Sequence, residues 1–367
     1  MKLLAPLNSP REVAPLVEAG ADELYCGFLP PAWSGVYSVV ASPNRREWRC
    51  ANISSHEGFA QTVAEAHRRN VPVHVAVNAL YTKGQYPAVM RQIAFFRECK
   101  ADALIVADLG LLARLKKERH GLAVHVSTGG TAFNASTVRF YQGLGARRVI
   151  LPRHVRLEEV RRLIRQCPGM EFEMFIMNSG CKNIDGFCTF QHGIQEMRRS
   201  PFWGVPKKMN LDIFLLDFLR RLPESALRRV RSNVFGIDSA CLIDYAVALR
   251  SSAQGVAAGV RAVVLKNIAS AFCLYGGIDP CGACRLPELE EMGLTGVKIV
   301  GRNYSLAKKV RDVRFIKEVL RTVKGAPDKA GPDNRIRAAF RKAYKTACRD
   351  ICYYPYEDTP RQPSHTH

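Results

Sequence analysis

The sequence predicts an α/β protein: a parallel (β/α)8, TIM-like barrel, with a mainly helical insertion between strands seven and eight and a basic helical C-terminal tail. Three observations predict it. Short β-like runs alternate with amphipathic helical stretches along most of the chain. The strand candidates number eight, the count that closes a parallel barrel. A faint echo recurs where helices end and strands begin: EAGADELY at Glu18–Tyr25, ECKADALI at Glu98–Ile105, GLGARRVI at Gly143–Ile150 and MGLTGVKI at Met292–Ile299. This is the repeat of βα units and not of a solenoid.

Taken in order, the strands are expected at Lys2–Leu7, Glu23–Gly27, Pro72–Asn78, Ala103–Asp108, Ala123–Thr128, Arg148–Pro152, Glu171–Met177 and Gly296–Val300. Ser9-Pro10 caps the first helix, with proline at a position that needs no N–H donor, and Gly20 stops it. Further helices are expected at Glu57–Asn70, Pro87–Lys100, Leu109–His120, Asn134–Leu144, Leu157–Cys167 and Ser305–Val323, with a basic one at Asn334–Arg349. The interval from Cys181 to Glu291 is too long for a barrel connection and carries helical stretches of its own, around Leu211–Leu222 and Ser239–Ser251. The chain therefore divides into residues 1–180 (seven βα units), 181–291 (the insertion), 292–324 (the last strand and helix) and 325–367 (the tail).

Nothing at the N-terminus resembles a secretion signal, and the most apolar later stretch, Gly255–Tyr275, is interrupted by Arg261 and Lys266. A cytoplasmic protein without a transmembrane segment is expected. In that compartment the twelve cysteines favour metal ligands or buried thiols over disulfides. A formal charge of +21 attracts polyanions, RNA above all, although solvated helix faces produce the same total and no aromatic-studded RNA-binding motif accompanies it.

Two cysteine pairs carry the sharpest chemistry. Cys181-x6-Cys188 leaves strand seven directly, and Cys281-x2-Cys284 precedes strand eight. Neighbouring strands would bring both to the C-terminal mouth, where barrel enzymes keep their active sites. Four soft thiolates suit an iron–sulfur cluster or a zinc ion; the wide x6 spacing favours a [4Fe–4S] cluster, with zinc the alternative. Cys241 is a reserve ligand. Cys348-x3-Cys352 reads more simply as structural, on a helical tail, and Cys26, Cys50, Cys99, Cys167 and Cys273 read as packing residues.

Polar residues at strand ends supply a pocket. Tyr25, Asn78, Ser127, Thr128 and Lys298 are candidate substrate contacts. Arg153 and Arg302 could clamp a carboxylate or phosphate, and Asp108 or Glu173 could move protons if burial raises its pKa. Each alone is more often a satisfied structural group than a catalyst; together, around one rim, they are what a substrate pocket requires. His74 and His125 lie inside strands, where a core role is the simpler reading. Zinc-protease, serine-hydrolase, P-loop and dinucleotide fingerprints are absent from the sequence.

Four stretches resemble the peptidase U-32, or collagenase-like protease, family. Ala21–Gly27 is similar to its A-D-x-[VL]-Y-x-G segment, and His125–Arg153 to its H-L-S-T-Q…L-G-A-x-R-V-x-L-x-R block. Glu173–Cys188 resembles E-x-F-x-x-G-x-x-C-x6-C, and Leu289–Arg302 the closing L-x-x-x-G-V-x-S-L-K-I-E-G-R. Gly129 stands where the family often has glutamine and Val300 where it often has glutamate; no cysteine follows soon after Cys188. The resemblance implies a barrel with a four-cysteine [4Fe–4S] centre, Cys181 and Cys188 falling on its first two ligands and Cys281-x2-Cys284 replacing the rest. It also implies oxygen-independent hydroxylation of tRNA, ribosomal RNA or a quinone precursor, with prephenate as oxygen source, and a second family member as a possible heterodimer partner. A metal-dependent peptidase and a non-catalytic RNA-binding subunit with a structural cluster are the alternatives.

Overall fold

Eight parallel strands hydrogen-bond in chain order, and β8 returns to β1 to close a barrel. The computed structural model describes residues 1–37, 42–46, 51–118, 120–180, 185–186, 279–322, 334–348 and 352–354. Within them the strands are β1 (Lys2–Pro6), β2 (Glu23–Gly27), β3 (Val73–Val77), β4 (Ala103–Val106), β5 (Ala123–Val126), β6 (Arg148–Ile150), β7 (Glu171–Met177) and β8 (Gly296–Ile299). β2 and β7 coincide with the runs expected from sequence, and the other six lie within theirs, shorter at one or both ends. Cys181, Cys188, Cys241 and both helices expected inside the insertion lie outside the described residues.

The helices are α1 (Val13–Glu18), α2 (Pro31–Val36), α3 (His56–His67), α4 (Tyr86–Glu98), α5 (Leu109–Glu118), α6 (Ala135–Gly143), α7 (Leu157–Gln166), α8 (Leu286–Glu291), α9 (Leu306–Thr322) and α10 (Asn334–Tyr344). Ser9 caps as expected, its side chain accepting from the Arg11 N–H, but the first turn, Pro10–Glu12, is a 3-10 turn that leads into α1. The tail helix is shorter than its sequence suggested. It ends at Tyr344 because Lys345 turns into the left-handed region (φ 58°), so Cys348 and Cys352 lie beyond the helix and not on it.

The apolar interior has two parts. One large cluster fills the space between sheet and helices, and a small one contains Leu4, Tyr25, Ile105, Ile150, Phe175 and Val300. Those six share strand parity with the buried charged residues of the barrel, which places them inside it. Nearer the strand N-termini stand Glu23, His74, His125, Arg148 and Glu173, all buried. The β7–β8 register shifts between Phe175 and Met177. β7 also outlasts β6, whose last partner is Glu173, and the returning chain uses that overhang: Gly282 N–H donates to the Ile176 carbonyl (2.8 Å) and Asn178 N–H to the Pro280 carbonyl (2.9 Å).

Candidate functional site

The mouth is assembled from strand ends, and its charge is mainly positive. Arg302 follows β8 and turns inward beneath Gly27, where even a Cβ would collide with its guanidinium. Its Nη2 donates to the Asn44 carbonyl (3.2 Å) and side-chain oxygen (3.1 Å), while buried Nη1 has no hydrogen-bond partner. Among the described residues no carboxylate pairs with it. Burial lowers its pKa to about 10, as expected for a cation taken out of water without a counter-ion. Tyr25 lies alongside: its hydroxyl donates to the Ile299 carbonyl (3.2 Å), and Lys298 Nζ sits 4.0 Å over its ring. Burial raises the Tyr25 pKa, so the phenol stays protonated in spite of Arg302, Arg46 and Arg153 nearby.

Arg153 is differently placed. Its Nη1 meets Asp185 Oδ1 at 2.5 Å, its backbone N–H meets Oδ2 at 2.8 Å, and its guanidinium covers the Phe175 ring at 3.9 Å. Asp185 belongs to the stretch between Cys181 and Cys188, so this pair ties that stretch to the end of β6. Gly186 beside it crowds Thr131 so closely that a side chain would clash, and its φ of 89° suits glycine alone.

The proposed acid–base carboxylates are both occupied. Asp108 accepts from Tyr86 hydroxyl (2.6 Å), Leu111 N–H (2.7 Å) and Tyr81 N–H (3.1 Å), which caps α5 and fixes the β3–α4 loop. Glu173 is fully buried between Arg148 Nη1 (3.0 Å) and Lys298 Nζ (3.3 Å). Lys298 is lowered in pKa by burial, with Glu173 opposing the shift. Of the remaining rim residues, Asn78 Nδ2 donates to Ser127 Oγ (3.3 Å), its buried Oδ1 stays unpaired, and Thr128 opens a 3-10 turn that ends at Gly130. Tyr25, Lys298, Glu173, Arg153 and Arg302 thus form one group, and Asp108, Asn78 and Ser127 a neighbouring arc.

Sequence reasoning missed Asn44, Arg45 and Arg46, which reach the mouth from the β2–α3 connection; Arg45 comes within 3.1 Å of where a Gly129 Cβ would stand. A doubled arginine in a long βα loop was the available signal. It also missed the base of the site. There Arg148 bonds Glu23 through Nη1 (2.5 Å) and Nη2 (3.0 Å) and Glu171 through Nε (2.9 Å). Burial would raise the Glu23 pKa, but Arg148 and His74 outweigh it and hold it at about 2. His74 and His125 stack edge to face at 4.6 Å, and burial lowers both.

Cys281 sits at the exit of β7, bridged antiparallel to Met177, and its Sγ accepts the Ala283 N–H at 3.4 Å. It is bridged on its other side to Cys352, and its thiol is raised by burial with Cys284, Cys348 and Cys352 adding to the effect. A thiol-rich pocket of this kind fits a thiophilic metal centre by donor chemistry. Among the described residues no three Cys, His, Asp or Glu side chains are placed to hold a metal ion, and Cys181 and Cys188 lie outside those residues.

The chain is 29% identical over 204 residues to tRNA hydroxylation protein P of Escherichia coli, covering 56% of this chain and 42% of that one. It is 26% identical to tRNA hydroxylation protein P2 of Bacillus subtilis, covering 59% and 64%. It is 23% identical to the 23S rRNA 5-hydroxycytidine C2501 synthase of E. coli, covering 52% and 26%. The chain therefore spans less than half the length of either E. coli relative. No described helix is long and apolar enough to cross a membrane. A model of peptidase family U32 matches residues 8–201, more than half the chain and most of the barrel around this mouth, and the protein belongs to that family.

Proposed function

We propose that this barrel is an oxygen-independent RNA hydroxylase that takes a small carboxylate, prephenate-like in chemistry, as oxygen donor. The observation that carries the reading is Arg302: a buried guanidinium at the mouth with an unpaired Nη1 and no carboxylate partner among the described residues. Such a cation is stabilised by an incoming anion, and Arg46 and Lys298 strengthen the field around it. Asn44 fixes the plane of the guanidinium, and Tyr25, kept protonated with its hydroxyl on the Ile299 carbonyl, adds no negative charge to the pocket. Glu173 neutralises Lys298 from below and keeps the pocket from repelling its own wall.

The thiols at the exit of β7 support an iron–sulfur cofactor, with Cys181, Cys188, Cys281 and Cys284 as the expected holders; such a cluster supplies electron transfer next to the pocket. Zinc is the alternative occupant. RNA as acceptor is favoured by the names of the relatives and by the +21 charge. A second family member could supply the remainder of the longer relatives as a partner chain. The family's peptidase name finds no recognised nucleophile–base or zinc-hydrolase motif in the sequence. Deleting the gene and profiling tRNA and rRNA nucleosides by mass spectrometry tests the reading. A hydroxylated nucleoside should disappear and return with the wild-type gene but not with Arg302→Gln; unchanged profiles in both RNA classes reject it.

A further inference from the structure

Lys298 is a buried lysine on the inner face of the barrel, and its setting is apolar on both sides. Its register partners are Leu4 of β1 and Phe175 of β7, both members of the small interior cluster. The Tyr25 ring lies 4.0 Å from Nζ, and the Tyr25 hydroxyl is spent on the Ile299 carbonyl. Among the described residues the one carboxylate within ion-pair distance is Glu173, with Oε1 3.3 Å from Nζ. That oxygen has no hydrogen-bond partner, so the pair is close but not locked. Glu173 is anchored instead through Oε2, by Arg148 Nη1 at 3.0 Å. Burial lowers the Lys298 pKa; Glu173 opposes the shift, and Arg302 and Arg148 add to it. An amine so placed gives up its proton more readily than a surface lysine, and a carboxylate oxygen stands beside it to take that proton.

Arg302 sets the distance to a partner group. Its guanidinium occupies the side-chain direction of Gly27, which is two residues beyond Tyr25 on the same inward face of β2. Two residues of strand span about 7 Å, so the unpaired Nη1 lies about that much further towards the mouth than the amine that rests on Tyr25. A carboxylate bonded to Nη1 at about 2.9 Å fits within this gap and turns its adjoining carbon towards Nζ. The molecule that uses both groups carries an electrophilic carbon directly next to its carboxylate, which is a 2-oxo acid. A 2-hydroxy acid would use Arg302 and leave the amine without a role.

We propose that Lys298 is a catalytic residue that condenses with the carbonyl of a 2-oxo acid, held by its carboxylate on Arg302, to form a protonated imine. This rests on the reading that Arg302 binds a small carboxylate, and it names the group beside that carboxylate. Glu173 Oε1 takes one proton from the ammonium, and the freed amine adds to the carbonyl carbon. A second proton passes from nitrogen to the former carbonyl oxygen. Glu173 then returns the first, the C–O bond breaks and water leaves. Nitrogen keeps one hydrogen in the cationic C=N product, and nothing is oxidised or reduced. Such an imine draws electrons from the adjoining carbon and loosens the bonds there.

The chain, purified anaerobically, is incubated with pyruvate or phenylpyruvate and sodium cyanoborohydride, digested, and mapped by mass spectrometry. A reduced adduct on the peptide carrying Lys298, stoichiometric with the chain, is expected. Excess phenyllactate, whose hydroxyl cannot condense with an amine, should suppress it. Lys298→Arg, which keeps the positive charge beside Glu173, should abolish it, and Arg302→Gln should lower its yield by about tenfold or more. The wild-type mapping stands whether or not either variant folds. Calorimetric titration of phenyllactate runs alongside. Phenyllactate binding without a Lys298 adduct overturns the imine and keeps the carboxylate pocket, whereas neither binding nor adduct overturns both. Adducts confined to other lysines, or a Lys298 adduct that phenyllactate leaves unchanged, mark unspecific alkylation and also overturn the imine.

Discussion

Replacing Arg148 with methionine removes the cation that joins three carboxylates at the base of the barrel. Its guanidinium bonds Glu23 at 2.5 and 3.0 Å, Glu171 at 2.9 Å and Glu173 at 3.0 Å, and only 2% of its surface is exposed. Methionine fills much of the volume but leaves Glu23 buried with Lys2 at 3.1 Å, itself half-exposed, and His74 Nδ1 at 3.9 Å. Glu173 keeps Lys298. Removing one partner from a buried ion network costs about 3–5 kcal/mol. The pH dependence carries the sharper signature. In the wild type Glu23 is held at about 2, below its ordinary 4.5, so its contribution is present above 4.5 and is lost as pH falls through 2. Without Arg148, burial dominates and the Glu23 pKa rises above its unfolded value. The variant's deficit is then largest near neutrality and shrinks as acid protonates the carboxylate. Urea unfolding followed by circular dichroism from about pH 7 to about pH 5 reads this difference. A deficit under about 1 kcal/mol, the size of a surface ion pair, or one constant across that range refutes the reasoning.

Three further outcomes follow from the same geometry. His74 is lowered by burial from 6.5 to about 4, so the unfolded chain takes up a proton first as pH falls between those values, and stability declines by about 3 kcal/mol; His74→Phe should flatten the curve by that amount, and parallel curves for both proteins contradict it. Gly27→Ala places a methyl group against the Arg302 guanidinium, so calorimetric binding of a dicarboxylate should vanish with an unchanged circular dichroism spectrum, whereas undiminished binding removes Arg302 from the pocket. Asp108→Ala should lower stability by about 1–2 kcal/mol through the lost cap of α5, measured as a fall in Tm; a thermally silent substitution combined with lost RNA modification would return Asp108 to the chemistry.

The barrel was legible because its signals are local. Ala103–Val106 is a continuous apolar run and Val73–Val77 is apolar but for His74, and Gly20 and Ser9 punctuate the first unit as their chemistry requires. Arg302, just past β8, and Tyr25 and Lys298, inside β2 and β8, lie close together because alternate residues of a barrel strand face inward. Partnership was not legible. Nothing in sequence says that Asp108 spends its oxygens on Tyr81, Tyr86 and Leu111, or that Asp185, from beyond β7, neutralises Arg153. Such pairings depend on long-range closure, as does the approach of Cys352 to Cys281, which a helical reading of the tail obscured; one left-handed residue, Lys345, redirected the chain.

β7 has seven residues and β6 three, and the resulting ledge receives the backbone that comes back from the long excursion. Because Ile176 and Asn178 recapture that backbone through main-chain atoms, and Gly282 keeps the space beside Ile176 and Tyr354 open, re-entry does not depend on how far the polypeptide has travelled. A change in the length of the excursion between Gly180 and Asp279 therefore leaves the cylinder beneath closed in the same register.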